Sequence, residues 1–201
     1  MYSLVPIVAS PTEFCLWTKP LGEYLALDKG LSVCVSSWRR VPDNAIPARA
    51  KAGGAYMNTA LAITDARKAG FDDAIFLTDA GTVSEGSAMN LFLVKNNQLI
   101  TPGKTEDILE GITRDTLMTL AQNELGLSTV ERTIDRTEIY LADEAFFCGT
   151  GAQVAAITAI DNRPVGDGEI GPWTRKIQQL YFDAVKYKLP RYHDWCMLVA
   201  I

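Results

Sequence analysis

Histidine is almost missing from this chain: the single one, His193, lies in Tyr-His-Asp-Trp near the C-terminus. An isolated terminal histidine is ordinarily a surface or packing residue. Its scarcity argues against a multi-histidine metal site and against a Ser-His-Asp triad. Cysteine is sparse too. Cys15, Cys34, Cys148 and Cys196 are scattered, mostly flanked by apolar residues, and nowhere form C-x-x-C. A redox or metal motif is therefore unsupported, and buried thiols in a reducing cytoplasm are expected ahead of disulfides. Basic charge is not in excess: the net charge of −5 argues against nucleic acid or an anionic membrane as the main partner. No apolar run is long enough to span a bilayer. The apolar N-terminus lacks a positive flank and is interrupted by Pro6, so no signal peptide is expected. Repeats, low-complexity tracts and an obvious linker are also lacking.

What remains is a chain of 201 residues, 48% hydrophobic and 21% charged, enough for one domain with a sizeable core. Ser3–Ser10 and Thr12–Thr18 read as short apolar strands, and Leu31–Trp38 alternates in β fashion. Alanines and long side chains predict a helix from about Gly54 to Lys68, ended by Gly70. Asp73–Leu77 reads as a strand closed by the Asp79-Ala80-Gly81 turn. Ser84–Lys95 and Gln98–Thr101 read as a hairpin about Asn96-Asn97. A second helix is expected from about Thr113 to Leu125, with Gly126 past its end. Glu131–Thr133 and Glu144–Cys148 suggest strands, and Val154–Asp161 pairs with Pro164–Gly166 across Asn162-Arg163. Ile177, Leu180, Tyr181 and Val185 give Thr174–Lys186 an amphipathic helical pattern. Strands and helices mix without strict βαβ alternation, which predicts an α+β or irregular α/β fold rather than a doubly wound sheet.

The residues with chemical potential are few. Lys51 sits in Arg-Ala-Lys-Ala-Gly-Gly-Ala-Tyr, where small neighbours leave room for a flat ring. A deprotonated lysine amine condenses with an aldehyde; a solvated lysine at a helix start is the plain alternative. Glu85, between a turn and an apolar strand, is either a strand-end surface charge or a carboxylate that faces a ring nitrogen and keeps it protonated. Leu109–Arg114 lead into the second helix, and the unpaired amides at its start, with the Thr113 hydroxyl, are a candidate phosphate cradle. Thr150 and Gly151 form a similar small-residue turn after a strand, although most such turns only redirect the chain. Tyr56 either bonds a ring oxygen or packs half-buried.

These blocks carry a resemblance. Ser-Ser-Trp-Arg-Arg through Ala50–Tyr56, Ser84-Glu85-Gly86 through Asn90-Leu91-Phe92, and Gly111-Ile112-Thr113-Arg114 occur in the order of the class IV, fold-type IV aminotransferases. Leu99-Ile100-Thr101 and Tyr140–Glu144 leading to Gly149-Thr150-Gly151 extend the match. The chain is most similar to the branched-chain amino acid aminotransferases. The resemblance implies pyridoxal 5′-phosphate as cofactor, with Lys51 joined to it and moving the proton between substrate and cofactor. Glu85 pairs with the ring nitrogen and Tyr56 approaches the ring hydroxyl. Ile112, Thr113 and Thr150 bind the phosphate, while Thr150 and Gly151 receive the substrate carboxylate. The implied reaction moves an amino group from leucine, isoleucine or valine to 2-oxoglutarate, in a cytoplasmic homodimer.

The resemblance covers roughly Leu21 onward, the family's large cofactor-holding domain. Residues 1–20 read as a junction or remnant, and the family's small N-terminal domain is not represented. That domain gives the family a phosphate-binding arginine and part of the substrate pocket. Losing such a contact lowers cofactor affinity by about ten- to a hundredfold, and an uncovered domain interface favours self-association. Three alternatives follow. D-amino acid aminotransferase and aminodeoxychorismate lyase share the same cofactor residues, and a truncated, non-catalytic paralogue would persist as a binding or interaction module.

Overall fold

The computed structural model describes residues 14–17, 25 and 27–198. The expected strand Ser3–Ser10 lies outside these residues. Of Thr12–Thr18, the described Phe14–Trp17 have no strand structure.

One mixed sheet of nine strands organises the chain. In chain order the strands are β1 (Leu31–Arg39), β2 (Asp73–Leu77), β3 (Val83–Gly86), β4 (Asn90–Lys95), β5 (Gln98–Pro102), β6 (Ser128–Arg132), β7 (Glu144–Gly149), β8 (Gln153–Ile160) and β9 (Arg163–Pro164). The helices are α1 (Tyr56–Lys68), α2 (Ile112–Leu125) and α3 (Pro172–Val185). The spatial order is β3-β2-β1-β8-β7-β4-β5-β6, with β9 on β8. The sheet curls until its ends meet: Val83 N–H donates to the Ile134 carbonyl at 2.9 Å, and Thr82 bridges Asp135. Inside the curl lies an apolar core that includes Leu91, Phe147, Ile157 and Ile75. Helices α2 and α3 cover a second cluster about Phe92 and Phe146, and α1 covers Ala74 and Phe76.

The α+β reading holds, with two parallel crossovers embedded in the mixed sheet. β1 pairs with β2 across α1, and β5 with β6 across α2. Local signals set the turns. Asn96 and Asn97 take φ of +50° and +56° in the β4–β5 hairpin, and Asp161 and Asn162 take +49° and +60° between β8 and β9. Asparagine and aspartate tolerate this region better than most residues, and paired positive φ matches the twist of a two-residue hairpin. Three further strand expectations are corrected: the strand read at Glu131–Thr133 runs over Ser128–Arg132, the last hairpin turns at Asp161-Asn162 with Arg163 already in β9, and Ser84–Lys95 is not continuous, because Ser87, Ala88 and Met89 break it into β3 and β4.

That break has a visible cause. Asp73, 2% exposed, accepts from Ser87 N–H at 3.3 Å and Ser87 Oγ at 3.0 Å, and from Ala74 N–H at 2.7 Å. Thr59 of α1 donates to the Ser87 carbonyl at 2.6 Å. The break is thereby tied to both β2 and α1. Burial pushes the Asp73 carboxyl upward from its ordinary range. Asp73→Ala strands three buried donors and is expected to cost about 3 kcal/mol in urea unfolding, with Asp73→Asn costing less.

The four cysteines are free; Cys148 is buried, Cys34 and Cys196 are half-buried and Cys15 is exposed, so the buried-thiol expectation holds fully only for Cys148. His193 stacks on Tyr187 with ring centroids 3.6 Å apart, the packing role expected of it. Among the described residues, no helix is long and apolar enough to cross a membrane.

Candidate active site

A cavity of about 250 Å³ opens where four pieces of chain converge: the segment leading into α1, strand β3, the loop before α2, and the β7–β8 turn. Of the seven residues expected at a site, Lys51, Tyr56, Glu85, Ile112, Thr113 and Thr150 line it. Gly151 sits one position beyond, in the same turn, and does not line the cavity. Alanines 48, 52, 55 and 88 and Gly149 give part of the lining a flat, small-residue surface.

Lys51 reaches the cavity through an unusual backbone. It ends the 3-10 turn Ala48–Ala50 with φ 48° and ψ 41°, the left-handed region that costs a residue bearing a Cβ. A second 3-10 turn, Gly53–Ala55, then leads into α1 and brings Tyr56 to the cavity.

Glu85 is not a surface charge. It is 3% exposed, and Arg40 Nη2 approaches its Oε1 at 2.7 Å. Its other oxygen accepts from Asn90 Nδ2 at 2.9 Å and from Leu109 N–H at 3.2 Å. Burial lifts this carboxyl from the ordinary 4.5 to about 7. The Arg40 charge, the Leu109 amide and the more distant charges of Arg114 and Lys51 oppose the rise without cancelling it. A carboxyl poised there exchanges its proton near neutrality with a basic group placed against it.

Arg40 and Asn90 join Glu85 at the cavity, and reading of the sequence did not single them out as candidates. Arg40, 9% exposed, also donates from Nε to the Asp107 carbonyl at 3.3 Å and lies over the Phe76 ring. The available signal was the Arg39-Arg40 pair at the end of an alternating strand. Alternation itself stops short of the pair, since Ser37, Trp38 and Arg39 are all exposed. Here Arg39 is exposed and Arg40 is buried.

At the far wall, Gly111 is the N-cap of α2, and no side chain caps the helix. The first-turn amides of Ile112 and Thr113 are therefore left to a ligand or solvent, beside a helix dipole that favours an anion. The absence of a Cβ at Gly111 has a local reason: one would run into Asn90 Oδ1. Cys148 lines the floor, and burial pushes its thiol upward, leaving it inert.

Residues 8–160 match the family model described as Amino-transferase class IV. The chain is 49% identical over 183 residues to a probable branched-chain-amino-acid aminotransferase of Aquifex aeolicus, covering 91% of this chain and 59% of that protein. It is 42% identical over 180 residues to the branched-chain-amino-acid aminotransferase of Escherichia coli K12, covering 88% and 58%. The branched-chain amino acid aminotransferase of Thermobaculum terrenum, solved in its PLP-form, superposes with a TM-score of 0.85 at 44% identity, over 87% of this chain and 57% of that one. The chain thus spans a little under three fifths of the length of these relatives. With the family's model matched from residue 8 to 160 and the fold shared with a solved member, the chain belongs to the class IV aminotransferases.

Proposed function

We propose that this chain is the cofactor-holding part of a pyridoxal-phosphate-dependent aminotransferase that moves the amino group of branched-chain L-amino acids to 2-oxoglutarate. One observation carries the reading. A buried carboxylate held by an arginine at 2.7 Å shares a cavity with a lysine and an uncapped helix N-terminus. These three features fit the three chemical ends of pyridoxal 5′-phosphate: a ring nitrogen, an aldehyde and a phosphate. The names of the relatives support the branched-chain substrate class.

When bound, the cofactor supplies the electron sink that lets an amino acid release its α-proton. The protein's part is positioning and proton transfer. Glu85 would face the ring nitrogen and hold a proton there. Tyr56 would donate to the ring hydroxyl oxygen. Ile112 and Thr113 offer amides to the phosphate, and the Thr113 and Thr150 hydroxyls add to them. Lys51 would hold the cofactor through its amine, and that amine is the group that would hold and move a proton at the substrate carbon. Thr150 and Gly151 receive the substrate carboxylate. Residues 1–20 are a junction and 21–201 the cofactor domain, in a cytoplasmic homodimer. Ile112, 87% exposed on the cavity lining, marks a side that further protein covers in the working enzyme.

The test is a visible spectrum of the purified chain titrated with pyridoxal 5′-phosphate, then borohydride reduction and peptide mapping. An adduct on the Lys51 peptide is expected, and it is lost in Lys51→Ala. A folded chain without that adduct leaves only a binding or interaction module. Parallel assays with L-leucine, D-alanine and aminodeoxychorismate assign the substrate; turnover of either of the last two in place of leucine overturns the branched-chain assignment.

A further inference from the structure

Two walls of the cavity come from different parts of the chain: Glu85 on β3, and the segment from Leu109 to Thr113 that opens α2. They meet at one side chain. Asn90, 5% exposed at the start of β4, donates from Nδ2 to Glu85 Oε2 at 2.9 Å and to the Leu109 carbonyl at 2.8 Å. The Leu109 N–H donates to that same Glu85 oxygen at 3.2 Å. The result is a closed ring of hydrogen bonds that engages both polar groups of Leu109 and both hydrogens of the carboxamide. Gly111 then packs against Asn90 Oδ1 so closely that no Cβ fits, and α2 begins at the next residue.

We infer that Asn90 is a positioning residue that sets the span between the Glu85 carboxylate and the N-terminus of α2. The inference rests on the cofactor reading above and deepens it: the span is a ruler for a ligand with a basic ring nitrogen at one end and a phosphate at the other. Only a carboxamide of this length serves. Aspartate lacks both hydrogens and sets a second carboxylate against Glu85. Leucine, of similar shape, donates nothing and leaves the Leu109 carbonyl unpaired.

The experiment compares binding of pyridoxal 5′-phosphate and of pyridoxal, which lacks the phosphate, to the wild type, Asn90→Ala and Asn90→Asp. Thermal melts followed by circular dichroism establish folding, and the isosteric aspartate variant supplies the comparison if alanine does not fold. Asn90→Ala is expected to weaken pyridoxal 5′-phosphate about tenfold and pyridoxal less, so the preference for the phosphorylated form shrinks. Asn90→Asp is expected to match alanine at about pH 8 and to recover relative to wild type at about pH 6, where a protonated acid regains one donor. Folded variants that bind both compounds as the wild type does overturn the inference. So does an equal loss for both compounds without recovery at lower pH. If the wild type binds neither compound, the cofactor reading fails, and amide hydrogen exchange decides the positioning role on the protein alone. The Leu109 and Gly111 amides, both bonded in this structure, are then expected to lose protection selectively in the folded Asn90 variant; unchanged protection there overturns it.

Discussion

Arg40→Ala is expected to destabilise the chain by about 3–5 kcal/mol at about pH 8 and by much less at about pH 5. The substitution leaves a carboxyl that is 3% exposed without its cation. The pH signature follows from protonation. In the intact protein Glu85 titrates near 7 when folded, against 4.5 ordinarily. Between those values the folded state holds more protons than the unfolded one, so stability falls as pH rises. Over that interval, from 4.5 to about 7, the group alone accounts for a decline of about 3 kcal/mol. Removing Arg40 takes away the largest influence holding the value down, so the decline continues past pH 7. At about pH 5 the carboxyl is already neutral, and only hydrogen bonding and packing are lost. Urea midpoints at the two pH values make the measurement, and an equal loss at both overturns the assignment. Replacing the pair together, as Arg40→Met with Glu85→Leu, is expected to recover much of the stability while abolishing cofactor chemistry.

Lys51 is expected to divide function from stability. Lys51→Ala and Lys51→Gly both remove the amine, and turnover is expected to fall by about 10²–10⁴-fold or below detection. Their folds respond differently. At φ 48° and ψ 41° an alanine keeps the strain of a Cβ in left-handed backbone, whereas glycine has none. Lys51→Gly is therefore expected to be the more stable of the two by about 1 kcal/mol, a difference of about 2–4 °C in melting temperature for a chain of this size. Alanine and glycine variants of equal melting temperature would show that the lysine is not held in strained backbone. Lys51 is one of eight non-glycine residues with positive φ among the described residues, and of those eight it is the one that lines the cavity.

How much of this was legible can be traced residue by residue. Gly126, with φ of +61°, ends α2 where the glycine predicted it, and the Asn96-Asn97 turn stands where the dipeptide placed it. Both depend on backbone preferences within a few residues. Lys51, Glu85 and Thr113 were picked out as isolated candidates by their small or turn-forming neighbours, and the fold gathers them around one cavity. The division of β3 from β4 was not legible, because Ser87 is held by Asp73, 14 residues earlier in the chain. Arg40 escaped for a similar reason: its partner Glu85 comes from a different strand.

The order of amino acids by itself determined the end of α2, the Asn96-Asn97 turn, the alternation of β1 and the small-residue blocks, since each reflects the φ/ψ freedom and polarity of neighbouring residues. The tertiary structure alone decided that Glu85 is buried, that Arg40 rather than Arg39 turns inward, and that Asn90 joins two walls of one cavity. Val35, bonded to the Asp161 side chain 126 residues away, shows the scale of contact involved. Dielectric environment and hydrogen-bond partners belong to the folded space around a side chain, and the curl of the sheet brings that space together only after distant strands have paired.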